Sequence, residues 1–366
     1  MGFIPAPDCN ARDAPPEGVA TLSLTLSERR ERVSSFEAFL SKEIALERQN
    51  LTICTNTLVS RILFRHDKGL PRTEKVLFKS MDPTSDRIFL TKVDKEVITD
   101  HISIPVAWEV PAAKSLTSMA IRPFRIALEL LKYIFFRVGL FSIPVQTLAL
   151  YVRSRVINKD STGIVQTLPK SSDPQILITD IELRPLSTSA MDNFDEPEFK
   201  NIFSKTPIFC ILATTPRPKS RGTVHLASNN PHDKSKSTLE SSRNAVRLSL
   251  SIGDRMKTSA FPLLRNITFP AEIQELDVRS NNTEELDKFI RHRIRTTFHY
   301  ASTCRMALEN DQNPGVVDDE LRVYGVQGLR VYNCDTSIFP QIVSGHLQAP
   351  AVMVAEKCAD LMINRM

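Results

Sequence analysis

The chain has 366 residues, with 47 Lys and Arg against 42 Asp and Glu, for a net charge of +5. That length exceeds one average domain and predicts two domains or one large composite, with ample chain for a core. The mild charge, with no sustained basic stripe interleaved with aromatics, argues against a nucleic-acid partner.

From the N-terminus, Met1 to Asp8 has no charged region followed by an apolar run, so no secretory leader is expected. Thr21 to Thr25 alternates as a short strand. Ser34 and Glu37 form a capping box that opens a helix through about Glu47, with Phe36, Phe39, Leu40 and Ile44 on its docking face. Leu51 to Thr55, Val59 to Arg65, Lys75 to Phe78 and Arg87 to Val93 read as strands between turns rich in Asn, Gly, Pro and Asp. Ile102 to Val110 is a further strand and holds the only tryptophan, Trp108.

Ala127 to Phe136 has helical spacing; a core-facing helix is the expected reading, ahead of a membrane-surface helix. The most apolar stretch, Val138 to Val152, is interrupted by Pro144 and too short to span a bilayer, so no membrane partner is expected. Ile176 to Leu183 and Pro207 to Ala213 are strands. Arg217 to Ser242 is polar, with Thr223 to Ala227 as a strand inside it and Ser235 to Ser242 as flexible loop. Arg291 to Arg295 reads as a solvated helix face. The absence of G-x-S-x-G argues against an α/β-hydrolase.

The six cysteines, Cys9, Cys54, Cys210, Cys304, Cys334 and Cys358, are scattered without C-x-x-C spacing and read as small core residues; no metal site is expected. Glycine is scarce, at 11 in the chain, and none forms G-x-G-x-x-G after a strand, so a dinucleotide cradle is absent as written.

The most informative stretch is Thr296 to Asp360. His299 lies in Thr297 to Met306 and His346 in Ser344 to Pro350, with a strand pattern from Gly328 to Asp335 between them. A helix follows His346, with Pro350 in its first turn and apolar positions at Val352, Ala355, Ala359 and Met362. Its free N–H groups favour negative charge nearby. Two converging imidazoles could take a proton from a hydroxyl and hold the resulting alkoxide. By spacing alone, the favoured reading is that His299 is a satisfied core residue and His346 a turn residue.

These residues resemble the C-terminal signature of the glucose-methanol-choline (GMC) oxidoreductases. The similar segments, in order, are His299–Met306, Gly315–Asp318, Leu321–Val331, Asp335–Pro340, Gly345–Pro350 and Ala355–Asp360, with Asn50–Thr55 and Leu58–Phe64 upstream. The resemblance implies FAD as cofactor and oxidation of the CH–OH group of a small-molecule alcohol, with oxygen or a quinone as electron acceptor. It implies His299 and His346 as the catalytic pair, His299 as base and His346 as its partner. It also implies FAD contacts at Asp335, Thr336 and Gln348, and at Val59 through its backbone against the adenine.

Two departures stand out: Ser302 and Ala307 occupy positions where the family has glycine, and a Cβ there would shift the turns. The N-terminal Gly-rich motif has no counterpart, and Val97 to Asp100 resembles a join across an internal deletion. The architecture expected is α+β. An incomplete FAD-binding (Rossmann-like) domain would come from residues 29–99 and 291–366, and a substrate domain on an antiparallel sheet and helices from residues 100–290 with 1–28. The activity expected is FAD-dependent alcohol oxidation by hydride transfer with a histidine base; the alternative is an inactive or truncated family member that does not retain FAD.

Overall fold

The computed structural model of the chain describes residues 1–6, 17–49, 53, 57–66, 69–80, 96–116, 122–165, 178–188, 206–218, 222–224, 239–267, 283–331 and 335–363. The first elements in order are β1 (Pro5–Ala6), β2 (Gly18–Thr21), α1 (Ser35–Phe39), α2 (Lys42–Glu47), β3 (Thr57–Arg65), β4 (Arg72–Ser80), β5 (Glu96–Ile98), β6 (Ile102–Glu109) and α3 (Pro123–Phe136). They are followed by β7 (Leu148–Val152), β8 (Ile181–Leu186), β9 (Ile208–Thr215), β10 (Gly222–Val224), α4 (Leu239–Thr258), β11 (Asn266–Ile267), α5 (Thr283–Arg293), β12 (Arg295–Thr296) and α6 (Gln348–Ile363). The fold is α+β. Two compact units are formed, one from Met1–Ser34, His101–Pro218 and Ser237–Thr297, the other from Ser35–Asp100, Lys219–Lys236 and Phe298–Met366.

The first unit is an eight-stranded sheet of order β1-β2-β7-β8-β9-β6-β11, with β12 also on β6; every pair is antiparallel except β1 with β2. Strand β6 is buried along nearly its whole length, as its apolar run requires. Its Ile104, Val106 and Trp108 belong to a core shared with Ala245, Val246 and Leu248 of α4 and Leu286, Phe289 and Ile290 of α5. Helix α4 approaches closely because small residues face the sheet: Ser242 and Ser249 are fully buried, and a Cβ at Gly253 would stand 2.4 Å from the Trp108 ring. Ser249 Oγ donates to the Ala245 carbonyl at 2.8 Å, which satisfies its hydroxyl inside the core. Residues Leu239 to Ser242, expected as loop, are therefore the first turn of the longest helix described.

The basic segment at the end of α5 is also corrected. Arg291 and His292 are exposed, but Arg293 is fully buried. On this edge of β6, β12 pairs with Ile102 and Ser103 and β11 with Ala107 and Trp108. The Arg293 guanidinium fills the interval between them, donating to the carbonyls of Pro105 and Ile267 at 3.0 Å each and standing 4.6 Å over the Phe289 ring. A strand residue points its N–H and C=O to the same side, so the N–H that Pro105 lacks would have faced this interval and no ladder bond is lost. Burial holds the Arg293 pKa down to about 9, so the side chain stays charged at neutral pH. Burial likewise pushes the nearby Cys210 thiol up to about 12, and it stays protonated.

Other expectations shift. Strand β2 ends at Thr21, opposite Leu148 where β7 begins, so Leu22 to Thr25 have no ladder. Strand β8 runs Ile181–Leu186, because Asp180 is taken up by the backbone N–H and hydroxyl of Ser154, at 2.6 Å each. Helix α3 does not face the core: among its residues only Glu129 is buried.

In the second unit, β3 and β4 form an antiparallel hairpin with irregular register after Val59 and Leu63, and β5 pairs antiparallel with β10. The helix expected through Glu47 is two short ones. Ser41 interrupts it, its hydroxyl accepting from the Ile44 N–H at 3.4 Å, and Phe36 and Phe39 are left exposed. The strand expected from Gly328 does not form in the described part. Left-handed turns at Leu321, Gly325 and Gly328 instead fold the segment into isolated bridges, Val317 with Val323 and Arg322 with Arg330; Tyr332 to Cys334 lie outside the described residues. Leu51 to Thr55, apart from Ile53, and Arg87 to Val93 also lie outside them. A core of Ala301, Val317, Leu321, Ile338, Phe339, Ile342, Leu347 and Cys358 closes this unit. Cys358 and Val354 supply the packed face of α6, whereas Ala359 and Met362 of the expected face are exposed.

Candidate functional site

Residues 298–306 are an extended segment held on two sides by hydrogen bonds rather than by a sheet. On one side, Thr99 and Ala301 exchange backbone bonds of 3.0 and 2.9 Å, the Thr99 and Ser302 hydroxyls meet at 3.0 Å, and Asp100 Oδ1 accepts the His299 N–H at 2.9 Å. On the other, the N–H groups of Ser302, Cys304 and Met306 donate to the carbonyls of Thr336, Ser337 and Ile338 at 3.1, 2.8 and 2.9 Å. Phe298 and Ser302 flank the histidine in left-handed conformation, with φ of 59° and 72°. Ser302 thus keeps the backbone that glycine would adopt freely, and its hydroxyl contact with Thr99 offsets part of the strain.

His346 stands just before α6, beside the buried Leu347. The structure brings His299 and His346 together: their ring centroids are 5.6 Å apart at 79°, edge to face, and both rings are half-buried. At that separation one hydroxyl oxygen can lie within hydrogen-bond reach of both imidazoles, the arrangement a general base and a hydrogen-bonding partner need. Gln348, the first residue of α6, is exposed two positions further on, where unpaired helical N–H groups favour negative charge.

The remaining sequence candidates are distributed unevenly. Thr336 is buried and tied to the histidine segment, its hydroxyl donating to the Tyr300 carbonyl at 2.6 Å. Asp335 is exposed and caps the short 3-10 turn Thr336–Ile338, accepting from the Ser337 N–H at 2.8 Å. Val59 lies on β3 and is 58% exposed; its hairpin bonds to the rest of the unit where the Thr73 N–H donates to the Gln327 carbonyl at 3.0 Å. Asp100 and Thr99 were not singled out as site residues. An acid just after a strand is a frequent acceptor for a neighbouring backbone N–H, but its partner here is 199 residues away and no local signal names it. At Ala307, the second departure, the close approach is by backbone: a Cβ at Gly315 would stand 2.3 Å from the Ala307 carbonyl oxygen, so it is position 315 that must be glycine, whichever residue stands at 307.

FAD needs a polar environment at its ring and a close backbone approach at its diphosphate. The imidazole pair and the start of α6 suit the first requirement. Among the described residues of this unit the strands are antiparallel pairs, and none leads through a Gly-rich turn into a helix, the arrangement that holds a diphosphate. The described residues therefore do not complete a site for the whole dinucleotide.

Residues 218–355 match the family model described as GMC oxidoreductase. Among curated relatives, the oxygen-dependent choline dehydrogenase of Brucella ovis is 39% identical over 158 residues, 41% of this chain and 27% of that protein. The protein of the same name from Rhizobium meliloti is 38% identical over 156 residues, 40% of this chain and 26% of its own length. The matched stretch thus spans about a quarter of these relatives. Among solved structures, formate oxidase superposes with a TM-score of 0.69 at 19% identity, covering 100% of this chain and 68% of that one. Pyridoxine 4-oxidase from Mesorbium loti superposes at 0.62 with 18% identity, covering 95% and 64%. At these identities the superpositions show the fold.

Proposed function

We propose that this chain, whose residues 218–355 match the family model described as GMC oxidoreductase, carries the proton-handling side of a FAD-dependent oxidation of an alcohol CH–OH group. The observation that carries this reading is the edge-on pairing of His299 and His346 at 5.6 Å. His299, whose backbone is anchored by Asp100, acts as the base that accepts the hydroxyl proton. His346 donates to the same oxygen as negative charge develops on it. The flavin, when bound, supplies the acceptor for the hydrogen leaving the carbinol carbon. Oxygen is the favoured final acceptor over a quinone, since the similar choline dehydrogenases are oxygen-dependent, and choline is the first alcohol to try.

A second reading is that this chain does not retain FAD, favoured by the described strands of its unit, which are antiparallel pairs without a Gly-rich turn into a helix. Incubating the purified chain with excess FAD, removing free cofactor and recording the visible spectrum separates the two. A bound flavin band near stoichiometric amount that an alcohol bleaches supports the oxidoreductase; a colourless chain supports the second reading. In a flavin-loaded preparation His299→Ala should slow bleaching roughly 10²–10⁴-fold with flavin content unchanged. Bleaching at the unaltered rate in that variant would remove His299 from its role.

A further inference from the structure

Helix α3 is turned opposite to what its composition suggests. Glu129 faces the protein at 9% exposure, accepting from Lys132 Nζ at 2.7 Å and from the Leu140 N–H at 3.1 Å, while Arg137 pairs with Glu31 at 3.2 Å. The other face carries Phe124, Leu128, Leu131, Ile134 and Phe135, recurring at helical spacing and exposed by 49% to 90%. The apolar surface continues beyond the helix through Phe141, Ile143 and Val145, each about half exposed. This continuation is held in place: Gly139 has φ of 89°, and a Cβ there would stand 2.6 Å from Glu129 Oε2, so the same carboxylate fixes both helix and turn.

A stripe of exposed apolar side chains of this length marks a docking face. Its flanking charge selects the occupant. Residues 122–137 carry Arg122, Arg125, Lys132 and Arg137; with Lys132 paired to Glu129 and Arg137 to Glu31, the local net is +2, carried by Arg122 and Arg125. A second copy laid face to face would set that charge against itself, whereas an anionic lipid leaflet matches both the cations and the aromatic stripe. At 14 residues the helix is about 21 Å long, short of the ~30 Å hydrocarbon core, so it suits the plane of the interface rather than a crossing. We propose that α3 and the turn after it dock this protein onto an anionic phospholipid surface, with Phe124, Leu128 and Phe135 entering the boundary between headgroups and acyl chains.

The test is flotation of the full chain with vesicles of phosphatidylcholine alone or mixed with phosphatidylglycerol. The chain should float with the anionic mixture, less so at high salt, and remain below with phosphatidylcholine. The double variant Phe124→Ser, Phe135→Ser should partition roughly tenfold more weakly with an unchanged thermal melt, since both side chains are already exposed. Arg122→Glu with Arg125→Glu should abolish the preference for anionic lipid. A chain that stays unbound to the anionic mixture, or a phenylalanine variant that floats like the parent, overturns the proposal. Self-association lost in the phenylalanine variant, with no vesicle binding by either protein, overturns it in favour of a second copy.

Discussion

Helices α3 and α4 belong to the same unit and reverse the usual relation between composition and burial. Helix α3 is mostly apolar, yet only Glu129 among its residues is buried. Helix α4 alternates serines and arginines with its apolar positions, yet Ser242, Ala245, Val246, Leu248 and Ser249 are all fully buried. The difference lies in the partner surface. The β6–β9 part of the sheet presents Trp108 and Phe209, and only a helix face lined with small residues can come close enough to cover them. Helix α3 has no such partner among the described residues; its Lys132 pairs with Glu129 on the same helix and Arg137 with Glu31.

If α4 and α5 are the covered side of the unit, the largest effect should come from removing what seals it. Arg293→Met keeps much of the volume but leaves the Pro105 and Ile267 carbonyls without their donor, at ~1–3 kcal/mol each. We expect a loss of about 2–5 kcal/mol, seen as a lower urea midpoint; a shift under about 0.5 kcal/mol would mean that the interval is not dry. Gly253→Ala comes next. Its new Cβ would press on the Trp108 ring, and overpacking of this kind costs about 1–3 kcal/mol, read from the same transition and from altered tryptophan fluorescence.

A smaller effect is expected where α4 meets α5. Arg243 binds Asp287 through two bonds of 2.6 Å, and that hydrogen bonding holds the Asp287 carboxyl below its ordinary value of 3.8. A carboxyl depressed in the folded state adds stability above its unfolded value and loses it as pH falls through the folded one. The Asp287→Asn variant should therefore be less stable than the parent by about 1 kcal/mol at neutral pH, with the gap closing below pH 3.8. Melts across that range check it; a gap independent of pH would deny the pair its role. The smallest effect belongs to α3. Leu131→Ser should change stability by less than about 0.5 kcal/mol, since the side chain is half exposed, and a larger loss would show that α3 is covered after all.

The histidine segment is organised on different lines from either helix. Its shape depends on hydrogen bonds to Thr99, Asp100, Thr336, Ser337 and Ile338 and on two left-handed residues, while Ala301, Cys304 and Met306 tie it to the apolar core of its unit. Ser302 and the Thr99–Asp100 junction, which in the sequence read as departures from a family pattern, are the groups that hold this segment in place.

The sequence by itself determined the α+β class, the resemblance of the stretch around His299 and His346 to the family model matched by residues 218–355, the strand around Trp108 and the start of the helix after His346, because alternation, a proline in a first turn and ordered motifs are local properties. Tertiary structure alone decided which way α3 faces, that a serine-bearing segment is a buried helix, that Arg293 is sealed inside, and that Asp100 meets His299 across 199 residues. Each of those depends on a partner distant in the chain. A local pattern states what a residue could bury or bond, and only the packed neighbour settles whether it does.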